Sequence, residues 1–85
     1  MKIKKDVAIS DSGFVFNPAT GESFTVNHVG KELFNYIKEG KQYNEIKDLI
    51  LEKYDTNEAT FDKDYQDFVA ILTYNHLLEE HNNDK

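Results

Sequence analysis

The feature that most constrains this chain is a change of period at one residue. Up to Val26 large apolar residues recur every second position; from Val29 onward they recur every three or four. Alternation of two is the signature of a strand with one covered face, and a repeat near 3.6 is that of a helix with an apolar stripe. Asn27 stands at the boundary, and its short side chain suits it to accept from the exposed N–H groups at a helix start. A chain that switches once, a third of the way along, predicts a sheet built first and helices laid over it.

Before the switch, Val7-Ala8-Ile9 and Phe14-Val15-Phe16 flank Ser10-Asp11-Ser12-Gly13, a cluster of turn formers, so they read as a hairpin. Asn17-Pro18-Ala19-Thr20-Gly21 is a second turn, leading into Ser23-Phe24-Thr25-Val26. Strands are predicted over residues 6–9, 13–17 and 22–26. Two-residue spacing suggests that Phe14, Phe16, Phe24 and Val26 share the covered face, with Ser23 and Thr25 on the other. Phe16, Phe34 and Phe68 read as core.

After the switch, helices are predicted over 28–39, 44–54 and 61–75. The first carries Val29, Leu33, Tyr36 and Ile37 on one stripe and ends at Gly40. Gly30, inside it, costs about 1 kcal/mol against alanine, which suggests a close backbone approach. The second carries Ile46, Leu49, Ile50 and Tyr54, with Gln42 or Asn44 as its cap. The third carries Phe61, Tyr65, Phe68 and Leu72, widened by Val69, and starts near Thr60 or Asp62. Tyr43, Tyr54 and Tyr74 lie on flanks or element ends and suit core or interface alike. The expectation is an α+β domain: a three-stranded antiparallel sheet followed by three helices, like a winged helix. Residues 1–85 form one domain, with 1–5 and 80–85 flexible, because 85 residues leave no room for a second core.

Composition excludes more than it assigns. With no cysteine there is neither a disulfide nor a thiolate zinc site. Ser10, Ser12 and Ser23 lack a nearby His/Asp pattern, and the four glycines are isolated, so neither a nucleophile nor a phosphate cradle is visible. His28, His76 and His81 form no recognisable ligand motif. No catalytic residue, metal or cofactor is expected. No stretch nears the ~20 apolar residues of a membrane span, nor does an apolar segment follow the lysines of Met1 to Asp6, so a cytoplasmic protein is expected.

Charge bears on partners. Residues 1–54 hold eight acids and eight lysines, and residues 55–85 hold eight acids and two lysines, which makes the net charge −6; there is no arginine. A winged helix that reads DNA needs a basic footprint, whereas the third helix here carries Asp62, Asp64 and Asp67 against Lys63 alone. The stretch at about 55–59 also looks longer than the three or four residues of a helix-turn-helix turn. No nucleic acid is expected as a partner.

Taken in order, Phe14-Val15-Phe16, Val26-Asn27, "LFNYIKEGK" at 33–41, "EIKDLI" at 45–50, Tyr54 and "DYQDFVAIL" at 64–72 resemble the PqqD family, small proteins of pyrroloquinoline-quinone biosynthesis. Their fold recurs as the precursor-peptide recognition element of ribosomal peptide modification systems. The resemblance implies a non-catalytic peptide chaperone that binds the leader of a precursor peptide and presents it to a modifying enzyme, often a radical-SAM protein. It also implies that the peptide joins the sheet beside the third strand, over a groove bordered by the third helix. Here those positions are Glu22, Ser23, Phe24, Thr25 and Val26 on the strand and Tyr65, Phe68, Val69 and Leu72 on the helix, with Ile71 and Tyr74 as the alternative flank. The family often has a proline before the first strand, absent here, and a glycine where His76 stands, which leaves the pathway open. An open strand edge can equally pair with a second copy, so a homodimer through that edge is a further expectation.

Overall fold

The computed structural model describes residues 1–79. β1 (Ala8–Ile9), β2 (Phe14–Asn17) and β3 (Glu22–Thr25) precede α1 (His28–Lys38), α2 (Tyr43–Lys53) and α3 (Glu58–Tyr74). The sheet is antiparallel in the order β1-β2-β3, which leaves β3 at an edge. The β1–β2 turn closes through the Ser10 N–H to the Phe14 carbonyl (2.9 Å) and the Gly13 N–H to the Ser10 carbonyl (3.0 Å). Gly13 has φ 88°, and a Cβ there would stand 2.6 Å from the Val26 carbonyl oxygen, so the turn admits only glycine. This α+β architecture is the one the change of period predicts.

Asn27 caps α1, its Oδ1 accepting from the Gly30 N–H at 2.8 Å. Gln42 precedes α2 without a side-chain cap bond. α3 begins earlier than its apolar stripe suggests, because Asn57 caps it through the Thr60 N–H at 2.8 Å. The link between α2 and α3 is therefore Tyr54 to Asn57, within the range of a helix-turn-helix turn. The expectation of a link longer than a helix-turn-helix turn is thus overturned by the early start of α3.

One buried cluster joins Val7 and Val15 of the sheet region to Leu33, Phe34 and Ile37 of α1, Ile46 and Ile50 of α2, and Phe61, Tyr65, Phe68 and Leu72 of α3. Phe34 and Phe68 are core, as expected. Phe16 is not: it is 40% exposed and Phe14 is 44% exposed, while Val15 and Asn17 beside them are buried. The pairing Val15↔Phe24 and Phe14↔Thr25 puts Val15 and Phe24 on the helix side and turns Phe14 and Phe16 outward with Ser23 and Thr25. Asn17 can be buried because its backbone and side chain build the next turn. Its Oδ1 accepts from the Ala19 N–H at 3.0 Å, and its carbonyl accepts from the Gly21 N–H at 2.8 Å.

The first residues also depart from expectation. Ile3 is buried in the core and pairs with Leu78; the Lys4 N–H donates to the Leu77 carbonyl and the Glu79 N–H to the Lys2 carbonyl, both at 2.8 Å. Residues 1–5 are thus tied down rather than loose. The expectation for 80–85 lies outside the described residues. After α3, His76 adopts the left-handed region with φ 58°. The His76 N–H reaches the Thr73 carbonyl and the Leu77 N–H the Leu72 carbonyl, which closes the helix end.

Candidate functional site: a groove beside an open strand edge

The phase of the sheet hydrogen bonds fixes what the β3 edge offers. The Val26 N–H donates to the Gly13 carbonyl at 2.8 Å, extending the register in which Val15 faces Phe24 and Asn17 faces Glu22. In an antiparallel pair such bonded residues alternate with unbonded ones, so Glu22, Phe24 and Val26 turn their backbone groups to β2. Ser23 and Thr25 turn theirs outward. The Ser10 to Phe14 bond agrees with this phase, since it commits Phe14 and Phe16 to β1 and leaves Val15 and Asn17 for β3. Among the described residues nothing pairs with the outer side of β3.

Beside that edge lies a groove of about 330 Å³ between the end of β3, the start of α1 and one flank of α3. Phe24, Thr25 and Val26 form one wall; Asp64, Asp67, Phe68 and Ile71 form the other; Val29, Gly30 and Leu33 form the floor. The floor is low because Gly30 has no side chain: a Cβ there would stand 3.0 Å from the Val26 Cβ and 3.5 Å from the Phe68 ring. The close approach suggested by a glycine inside a helix is thus real, and α1, β3 and α3 meet there. A second hollow of about 230 Å³, between the end of α2 and the start of α3, shares Val29 and Asp64 with the groove.

The groove is apolar below and acidic on its α3 rim. Lys63 is bound to Asp67 at 3.0 Å, and that carboxylate raises the Lys63 pKa, keeping the ammonium charged. Behind the rim, Tyr43 donates to Asp62 at 2.8 Å, a bond that pushes its phenol up to about 12. Tyr43 also stacks edge-on against Tyr65 at 4.9 Å, and burial raises the Tyr65 pKa. On α1, Glu32 is bound by Lys53 at 2.9 Å, which lowers its pKa, while His28 stands 4.0 Å from the same carboxylate. Among the described residues no three His, Cys, Asp or Glu side chains gather as metal ligands do.

Of the residues assigned to the peptide site from the sequence, Phe24, Thr25, Val26 and Phe68 line the groove. Glu22 and Ser23 continue the β3 edge, exposed. Tyr65 and Leu72 are buried in the core, at 8% and 0% exposure, and Val69 packs against it. The groove takes the other flank of α3, at positions 64, 67, 68 and 71, so of the two alternatives Ile71 lines it. Tyr74 is 84% exposed and lines none of it. The signal for that flank was present as one stripe at helical spacing, masked by the two aspartates in it.

The sequence pattern of the family described as Coenzyme PQQ synthesis protein D (PqqD) matches residues 13–78. The chain belongs to the PqqD family. Among solved structures, this PqqD-family protein is similar to TbiB1 in complex with the TbiA(beta) leader peptide: the TM-score is 0.82 and the identity 31%, over 95% of this chain and 98% of that one. No curated protein sequence matches the chain. The matched span of the PqqD pattern opens at Gly13, in the β1–β2 turn, and closes at Leu78, so it takes in β2, β3 and all three helices. No helix among the described residues is long and apolar enough to cross a membrane.

Proposed function

We propose that this protein is a non-catalytic peptide-binding module that takes the leader of a ribosomally made precursor peptide as a fourth strand beside β3 and presents it to a modifying enzyme. The observation that carries the reading is the open β3 edge directly over an apolar groove. An edge offers main-chain hydrogen bonds for affinity, and a groove offers pockets for alternate side chains, which together are what strand addition requires. The outward N–H and C=O groups of Ser23 and Thr25 supply the bonds; Phe24, Val26, Phe68 and Ile71 receive the side chains that point inward. Likeness to a chain solved with a leader peptide supports the choice of ligand. Asp64 and Asp67 on the rim favour a leader with lysine or arginine near its apolar anchors, since complementary charge speeds encounter and fixes register. A radical-SAM protein fits the role of modifying enzyme. Duplex DNA does not fit, because a chain of net charge −6 without arginine repels phosphate, and Lys63 on α3 is already held by Asp67.

The test is an NMR titration of the isotopically labelled protein with the leader of a precursor encoded beside its gene. Amide shifts are expected along Glu22 to Asn27 and along α3 from Asp64 to Ile71. Shifts confined to α1 and α2, with β3 unmoved, would overturn the strand-addition mechanism.

A further inference from the structure

The outer face of the sheet holds two large side chains that neither the core nor the groove uses. Strand register brings Ala8, Phe14, Phe16, Ser23 and Thr25 together there. None of the five is charged, in a chain of which 31% is charged. Phe16 lies directly across from Ser23 and Phe14 directly across from Thr25, so each half-exposed ring on β2 stands behind a short side chain on the edge strand. This makes a step: low at the edge, high one strand inward. Contiguous exposed apolar surface, unlike apolar residues scattered singly, is where proteins contact other molecules.

We infer that this step is a second reading surface for the same peptide, on which its outward-pointing residues, two apart, pack as apolar side chains over Ser23 and Thr25 against Phe16 and Phe14. The inference rests on the strand-addition reading. A strand seated on β3 must send every second side chain to the outer face, and those side chains have Ser23 and Thr25 as their immediate neighbours. Neighbouring strands are roughly 4.8 Å apart, so the added strand lies about 9.6 Å from β2. A serine or threonine between them leaves the space above open, and a leucine, methionine or aromatic residue leaning inward meets the phenyl rings across it. The occupant follows from continuity, because the step begins at the strand that takes the peptide. The ligand is therefore a segment with apolar residues at consecutive positions, one set for the groove and the other for the step.

The test is selection of a random displayed peptide library on the full chain and on Phe14→Thr/Phe16→Thr, whose threonines keep strand propensity at half-exposed sites. Circular dichroism checks the fold. Ser23→Tyr, which fills the step from the edge strand without touching the core, serves as a second variant. The expected result is enrichment of apolar residues on both alternating sets with the natural sequence, loss of one set only with either variant, and about fivefold weaker binding of a selected peptide to the double variant. Enrichment on one set alone with the natural sequence, or both sets persisting in the variants, overturns this inference and leaves strand addition standing. A lack of any enriched peptide removes strand addition and this inference with it. If sedimentation shows a dimer that Phe14→Thr dissociates while peptide selection is unchanged, the face belongs to a second copy and the inference is wrong.

Discussion

A Cβ added at Gly30 would stand 3.0 Å from the Cβ of Val26, the last large residue before the Asn27 cap. Substitution Gly30→Ala brings about 1 kcal/mol of helix propensity, while packing an extra carbon into a filled corner costs about 1–3 kcal/mol. The second effect wins, because Val26 Cβ is fixed to the backbone and Asn27 Oδ1, 3.2 Å away, is held by the cap. Thermal unfolding followed by circular dichroism is expected to show a melting temperature several degrees lower. A higher one would mean that the β3–α1 corner yields.

Thr25→Pro separates the edge from the fold. The N–H it removes points away from β2, where proline is tolerated, so the melting temperature should change little. Loss of one main-chain donor to the peptide should weaken leader binding about tenfold, the scale of a single hydrogen bond. Phe24→Pro removes an N–H that faces Val15 and should destabilise the sheet itself. Calorimetric titration and melting curves on the pair check both; equal leader affinity in Thr25→Pro and the unsubstituted chain would rule out main-chain pairing at that residue.

His76 stands at φ 58° after α3, the only non-glycine among the described residues with positive φ. The left-handed conformation costs a branched or bulky residue about 1 kcal/mol, which glycine avoids. Glycine also adds freedom to the unfolded chain, which offsets part of the gain. His76→Gly is expected to raise stability by about 0.5 kcal/mol, measured by urea unfolding. The closing bonds and the buried pair Leu72 and Leu77 stay as they are.

Tyr43 links stability to alkaline pH. Its phenol is pushed up to about 12 from 10.0, chiefly by donating to Asp62. A folded-state pKa above the unfolded one favours folding fully below the unfolded value, and the contribution is lost as pH rises from about 10 toward 12. Urea unfolding across that window should show the unsubstituted chain losing stability more steeply than Tyr43→Phe. The chain has no tryptophan, so ultraviolet absorbance titrates its five tyrosines alone. The step near pH 12 should vanish in the variant.

Element order and the α1 cap were readable because two periods and a capping residue coincide at Asn27. The facing of β2 was not. Phe-Val-Phe-Asn is apolar at both alternating sets except for Asn17, and size suggested that the phenylalanines face inward. The register set by Gly13 and the turn built by Asn17 decided otherwise, and neither effect is visible in hydrophobicity. The start of α3 was missed because its first turn, Glu58-Ala59-Thr60, is exposed and adds nothing to the apolar stripe; Asn57 followed by an acid was the available sign. The groove flank of α3 could not be chosen from one helix, since both stripes fit and only the position of Gly30 against Phe68 selects between them.

The antiparallel bridge between Ile3 and Leu78 has a consequence for attachment. Lys2 and Glu79 stand side by side in it, next to Lys38 to Gly40 at the far end of α1. The groove lies at the opposite end of that helix, the end that holds Val29 and Gly30. An insertion or label placed at Lys2 or Glu79 would therefore sit behind the groove and leave its mouth clear. Force applied between Lys2 and Glu79 would load that single bridge first, ahead of the contacts that hold β3 against α3.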